Sequence, residues 1–417
     1  NMSLFRRSKN TNKPILGQIL SLIPAHILNF QIQKHKTDKG CSKYKTYDQL
    51  VALIFGQLNK CDTLSTISCG LSLSSTFLND IKLKQSPSKS TMSDGNKNRS
   101  YKVFEGLYFS LFSYYKSILK AHHKTYIIEE IKNQTIKLID STTISLCLEM
   151  FDWAKFRTAK GGIKIHTSLD DSSGLPDVIN ITEAKTHDNK GMENNVFEKG
   201  TIIVEDRGYF DFSLMLKRVK AENIFVTRIK DNTVYQSIKE FDLPENQDLD
   251  ILKDEIIQFN SPKAKETGIF EHQLRLVTVY KEDENKVIQI ICNNLDWKAR
   301  TIADLYKKRW DIELFFKAIK QNLQIKSFVG TSENAVKSQI FISLISFLLL
   351  ELIRRTNCDK NTAFSCFCEK IRVCILQYLT IEYVCNELKP IVKKAEKPPE
   401  KNIFSTDNFI NQTKLSI

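Results

Sequence analysis

Glycine and proline are scarce in this chain, 14 and 9 in 417 residues. That excludes a collagen-like, low-complexity or largely disordered polypeptide. Long hydrophobic runs are missing too. The longest, Ile340 to Leu350, is interrupted by Ser343 and Ser346 and stops at Glu351. It is too short to span a bilayer. Asn1 to Asn10 is basic and lacks an apolar stretch, so no signal peptide is expected there. Zinc-type cysteine spacing is also absent. The ten cysteines are irregularly placed, and Cys366-Phe-Cys368 has neither the two-residue spacer nor a paired partner. Cys41, Cys61 and Cys69 have no histidine at ligand spacing, His35 being isolated. The cysteines read as reduced thiols of a cytosolic protein.

What is present is the balance of a soluble globular protein, 41% hydrophobic and 26% charged, long enough for two or three domains. The net charge is +13, and it is unevenly spread. Residues 1–100 hold 15 Lys+Arg against 5 Asp+Glu, while the remainder holds 46 against 43. A basic block on a nearly neutral body points to a polyanion, most simply nucleic acid. A basic surface with no specific partner is equally compatible with charge alone.

Periodicity divides the chain. Residues 1–130 read as helical, with three- and four-residue apolar spacing in Ile15–Ile32, Leu50–Leu71 and Tyr101–Leu119. Thr46 and Gln49 offer a capping box. Ser86 to Arg99 is polar and basic, a loop or short helix between helical hairpins. From about residue 134 short β-branched runs take over: Thr135–Ile139, Ile163–Leu169, Val178–Thr182, Thr201–Val204 and Ile224–Ile229. Helices over His187–Phe197 and Phe212–Lys220 fall between them, which predicts a mixed sheet with packed helices. Residues 232–285 read as an inserted β region with strands at Ile256–Phe259 and Leu274–Tyr280, and Val287–Cys292 follows. One helix is expected over Thr301–Gln324 and another over Ala335–Ile353. The expected divisions are therefore 1–130, 131–231, 232–285, 286–392 and a flexible tail, 393–417.

Three acids lie where chemistry is expected. Asp140 ends the strand Ile136–Ile139, Asp206 follows the strand Ile202–Val204, and Glu313 sits on the helix starting near Thr301. Acids at the ends of neighbouring strands can converge, and oxygen-only ligands suit Mg²⁺ or Mn²⁺. Two such ions suit phosphodiester cleavage. Taken singly, each acid is also an ordinary cap or surface residue. On a continuous helix Tyr306, Arg309, Glu313 and Lys320 share one face, at steps of three, four and seven. An ordinary Arg309–Glu313 pair accounts for two of these and leaves Tyr306 and Lys320 unexplained. Asp170, Asp171, Glu205 and Asp311 are the weaker acidic candidates. Glu205 is expected to face away from Asp206, and Asp311 away from Glu313.

The spacing Tyr306-x₂-Arg309-x₃-Glu313-x₆-Lys320 resembles the signature of the insertion-sequence-four family of DDE transposases. Leu138–Thr142 resembles that family's first-aspartate strand, Gly162–Asp170 its second strand, and Asp206-Arg207-Gly208-Tyr209 its second-aspartate block. Asn1 to about Leu73 resembles an N-terminal domain of uncharacterised function often fused to such enzymes. The resemblance implies an α/β, RNase H-like core with a β insertion, preceded by an all-α DNA-binding region. It implies that Asp140, Asp206 and Glu313 hold two Mg²⁺, with Mn²⁺ as substitute, and that a water frees a 3′-OH which then attacks DNA. Tyr306, Arg309, Lys320, Lys164, His166 and Arg207 become DNA contacts, with a structural role for His166 also open. Trp310 is assigned to core packing, base stacking being the alternative. Arg6, Arg7, Lys9, Lys34, Lys36, Lys39, Lys43 and Lys45 are phosphate candidates, and Ser88–Arg99 a candidate recognition helix. The implied partners are the duplex terminal repeats, target DNA and a second copy of the chain, in a bacterial cytosol. A metal-dependent nuclease on the same core and an inactive DNA-binding relic or repressor are the alternatives.

Overall fold

The computed structural model describes residues 10–386, apart from 124, 148–159, 244–249, 283–284, 324 and 326. Arg6, Arg7, Lys9 and the expected tail lie outside the described residues. The N-terminal part is helical: α1 (Ile15–Leu20), α2 (Ala25–His35), α3 (Thr46–Leu58), α4 (Leu64–Leu71), α5 (Ser75–Asp80), α6 (Lys89–Asn98) and α7 (Lys102–Ala121). Two helices expected to be continuous are broken. Pro24 stands between α1 and α2, where its ring and missing N–H end one helix and start the next. Lys60, at φ 53°, turns the chain between α3 and α4. Thr46 does not cap: its hydroxyl meets Asp38 at 2.6 Å, while Asp48 accepts the Lys45 N–H.

The β part is one nine-stranded sheet: β1 (Ile136–Cys147), β2 (Lys160–Asp170), β3 (Leu175–Glu183), β4 (Ile202–Glu205), β5 (Ile224–Arg228), β6 (Tyr235–Glu240), β7 (Ile251–Phe259), β8 (Leu274–Lys281) and β9 (Lys286–Cys292). Their order across it is β3-β2-β1-β4-β5-β9-β8-β7-β6. β1, β2 and β3 are antiparallel, whereas β4 and β5 run parallel to β1. This is the RNase H-like arrangement. The region expected as an insertion does not build a sheet of its own. It folds back through β9, which pairs antiparallel with β5 and carries the sheet outward.

β1 is longer than its apolar run suggested. Asp140 does not end it, because β2 stays paired along the polar half as far as Cys147. Only the parallel neighbour stops: β4 pairs with β1 from Ile136 to Ile139. Asp140 is thus the first residue of β1 with that edge open.

Side chains alternate between the faces of the sheet. Leu138, Ile202 and Val204 join the large core built with the helices. Ile139 and Ile203 face a smaller cluster with Met192, Tyr209 and Leu214. That far face is covered by α8 (Asp188–Met192) and α9 (Phe212–Lys220). α10 (Pro262–Thr267) packs beside α9. On the helical face lie α11 (Ala299–Lys308) and α12 (Trp310–Asn322), then α13 (Glu333–Asn357), α14 (Phe364–Cys374) and α15 (Ile381–Asn386). α13 has the length and apolar composition of a membrane span, yet 94% of its most apolar window is buried in the fold. It packs on α3, α6 and α7 and on α12, α14 and α15.

Candidate active site

The alternation on β1 and β4 decides where each acid points. Asp140 follows Leu138 by two residues and faces the helical side, as does Asp206, two residues beyond Val204. Glu205 faces the far side, where it is buried against Arg218 of α9 at 2.8 Å. Asp206 leads directly into the short 3₁₀ turn Arg207–Tyr209.

The expected single helix over Thr301–Gln324 is two. α11 ends at Lys308 and α12 starts at Trp310, with Arg309 between them at φ −52°, ψ −26°. The Arg309 N–H bonds Tyr306 O and the Ile312 N–H bonds Arg309 O, both i to i+3, so the chain tightens by one turn here. Arg309 thereby enters a nest of carboxylates. Its Nη1 lies 2.6 Å from Glu313 Oε1 and 3.7 Å from Asp140 Oδ2, and its Nε lies 3.8 Å from Asp206 Oδ1. The guanidinium also stands 5.6 Å from the centroid of the buried Tyr306 ring. Its buried Nε has no hydrogen-bond partner among the described residues. Glu313 and Lys320 line a cleft of about 390 Å³ together with Asp140, Ser141, Thr142, Phe316, Lys317 and Gln321.

Three carboxylates meet one arginine, so negative charge is in surplus. Burial pushes the Asp140 carboxyl up to about 7, and Asp206 and Glu313 add to the rise against the Ser141 N–H and Arg309. Among the described residues no three such side chains stand close enough to hold one ion as they are. The distances show that the guanidinium lies between them. A set of oxygen donors only, a carboxylate that resists ionising, and a cation already drawn in together fit divalent metal.

The remaining candidates separate. Lys164 and His166 do share a face, but it is the far one. His166 lies opposite Ser141 and Lys164 opposite Thr143 in the β1–β2 register, both out of phase with Asp140. The expected DNA contact by His166 is corrected: its ring is fully buried, 2.9 Å from Thr182 Oγ1, and burial holds its pKa down at about 4. Lys164 Nζ bonds Thr186 O at 3.0 Å and Asp188 at 3.1 Å. Arg207 is half-exposed and pairs with Asp231 at 3.2 Å. Trp310 is not a core residue; 56% of it is exposed. Asp170 and Asp171 are occupied by Lys137 at 2.8 Å and Lys308 at 3.0 Å. Lys34, Lys36, Lys39, Lys43 and Lys45 are exposed. Within Ser88–Arg99, Ser88 caps α6, while Arg99 is buried on Gln49 and Tyr44. Asp188 and Ser141 were not singled out from the sequence. Their contact joins β1 to α8 across unrelated stretches of chain, which no local spacing encodes.

A model of the transposase DDE domain family matches residues 132–349, and one of a domain of unknown function matches residues 11–81. A putative transposase of Sinorhizobium fredii is 30% identical over 269 residues, 64% of this chain and 71% of the relative. A probable transposase for an insertion-sequence element of Geobacillus stearothermophilus is 28% identical over 231 residues, 55% of this chain and 60% of the relative. A putative insertion-sequence transposase of Synechocystis is 28% identical over 295 residues, 68% of this chain and 78% of the relative.

Proposed function

Because the chain belongs to the transposase DDE domain family, and so is a DNA-cleaving and strand-transferring enzyme of an insertion sequence, we propose that Asp140, Asp206 and Glu313 are its catalytic carboxylates. The observation that supports this is their convergence on Arg309 from two parallel strands and one helix. Two divalent ions, Mg²⁺ or Mn²⁺, would be held by these three side chains and would supply an activated attacking oxygen and charge relief at the leaving oxygen. Arg309 would contact the phosphate of the scissile strand, for which its planar fork is suited. Lys320, on the same cleft, adds a point charge, and the Tyr306 hydroxyl a hydrogen bond. Trp310, exposed next to Arg309, offers a face for a base drawn from the duplex.

The substrates are the terminal repeats of the element and its target, both duplex DNA, handled by a homodimer in a bacterial cytosol. The basic helical region carries the end-binding role. Its exposed Lys34 to Lys45 take phosphates, and α6 presents Ser90, Ser93, Asp94 and Lys97 outward at helical spacing. The test is cleavage of a labelled duplex bearing the element's own end in Mg²⁺. Glu313→Gln is expected to cut more than about 100-fold more slowly, beyond the loss that removing an outer-sphere partner causes. Boundary nicking that survives in Glu313→Gln overturns the assignment.

A further inference from the structure

On the far face of the sheet, beneath the carboxylates, a second polar cluster has no part in the chemistry described so far. Its centre is Asp188, the first residue of α8. Asp188 Oδ1 accepts the Ser141 hydroxyl at 2.5 Å and stands 3.1 Å from Lys164 Nζ. His166 Nδ1 is 3.9 Å from the same oxygen, and this buried nitrogen has no hydrogen-bond partner among the described residues. The His166 ring is held there by Gly191 of α8, where a Cβ would meet it at 2.2 Å. The other carboxylate oxygen lies where a Cβ on Gly208 would come within 3.2 Å, two residues after Asp206. Tyr209 is buried beside it, its phenol driven up by burial first and by Asp188 next.

These contacts connect both aspartate segments. Ser141 reaches through the sheet: its side chain goes to Asp188 on the far face, while its backbone N–H donates to Asp140 Oδ1 at 2.7 Å on the helical face. Fixing the hydroxyl fixes the peptide, and the peptide fixes the carboxylate. Asp140 needs that support, because β4 no longer borders β1 at this residue. α8 also packs on the turn after Asp206, without a hydrogen bond from Asp188 to it among those described.

We propose that Asp188 is a positioning residue for the metal-binding carboxylates, acting on Asp140 through Ser141. This rests on the reading of Asp140 and Asp206 as metal ligands. Support behind a ligand of this kind changes metal affinity or activity by about 10–100-fold.

The experiment uses the full chain and MnCl₂ alone as probe, with binding followed by isothermal titration calorimetry, alongside end cleavage, duplex binding and thermal melting. Asp188→Ala and Ser141→Ala are each expected to weaken Mn²⁺ binding and slow cleavage by about 10–100-fold, with duplex affinity unchanged. The double variant is expected to lose no more than the weaker single one, since both break one link. Asp188→Asn keeps an acceptor for the hydroxyl and recovers part of the loss. Ser141→Ala removes one hydroxyl and leaves Lys164 paired with Asp188, so it decides the matter even where Asp188→Ala folds poorly. Wild-type Mn²⁺ affinity in Ser141→Ala, or losses that multiply in the double variant, overturn the proposal. Asp140→Asn separates the two levels. If it also binds Mn²⁺ like wild type, the ligand assignment itself fails; if it does not, only the role of Asp188 is lost.

Discussion

Arg309 is paired three ways, and its removal strands three carboxylates in a half-buried nest. Arg309→Ala is expected to cost about 1–2 kcal/mol in urea unfolding in EDTA, less than a fully buried charge pair because water screens the site. Millimolar Mg²⁺ should restore most of that, more than it adds to wild type. Arg309→Lys keeps the charge, so its unfolding stays near wild type. Its cleavage should still fall by at least about tenfold, as an ammonium cannot match a phosphate edge. The residues of this nest were legible through the spacing from Tyr306 to Lys320 and the resemblance it carries, although Asp140 does not end its strand and the helix breaks at Arg309. His166 and Lys164 were legible only in relation to each other. Alternation says that they share a face, but only the pairing of Ser141 with His166 says which face.

Elements carry their own logic. β4 reads Ile-Ile-Val-Glu and is buried along its whole length, as a central parallel strand must be. Its last residue is therefore a buried carboxyl, pushed up by burial and held against that rise by Arg218 of α9. Arg218→Ala leaves Glu205 buried and alone, and should cost about 3–5 kcal/mol, read as a shifted urea midpoint. Arg218→Ala with Glu205→Gln should recover part of this. The β-branched runs disclosed most strands, but not the length of β1. Asp140-Ser141-Thr142-Thr143 looks like a strand's end, since polar residues replace apolar ones. The strand continues because one side remains paired, and its polar composition reflects the open edge on the other. The break at Arg309 was equally hidden, the helical spacing running through it without interruption.

At the scale of the molecule one buried and one half-buried histidine set an acid limit. His123, among Arg355, Glu351, Lys308 and Arg354, and His166 both titrate at about 4, lowered first by burial. The unfolded chain takes up their protons near 6.5 and the folded protein does not. Their contribution is complete above about pH 6.5 and is lost as pH falls towards 4, on the order of a few kcal/mol together. The melting temperature should drop between pH 6.5 and 4.5, and His123→Asn should drop less over that window. The sequence showed a helical start and a sheet, but not that they share a core. That sharing runs through α13, whose buried face is common to α3, α6 and α7 and to the helices after it. The ribosome completes α7 at residue 121 and α13 only at residue 357. Until then the side of α7 that packs on α13 is uncovered. A chain cut short before α13 is therefore expected to show no cooperative melting of its N-terminal helices, with the full chain as the comparison.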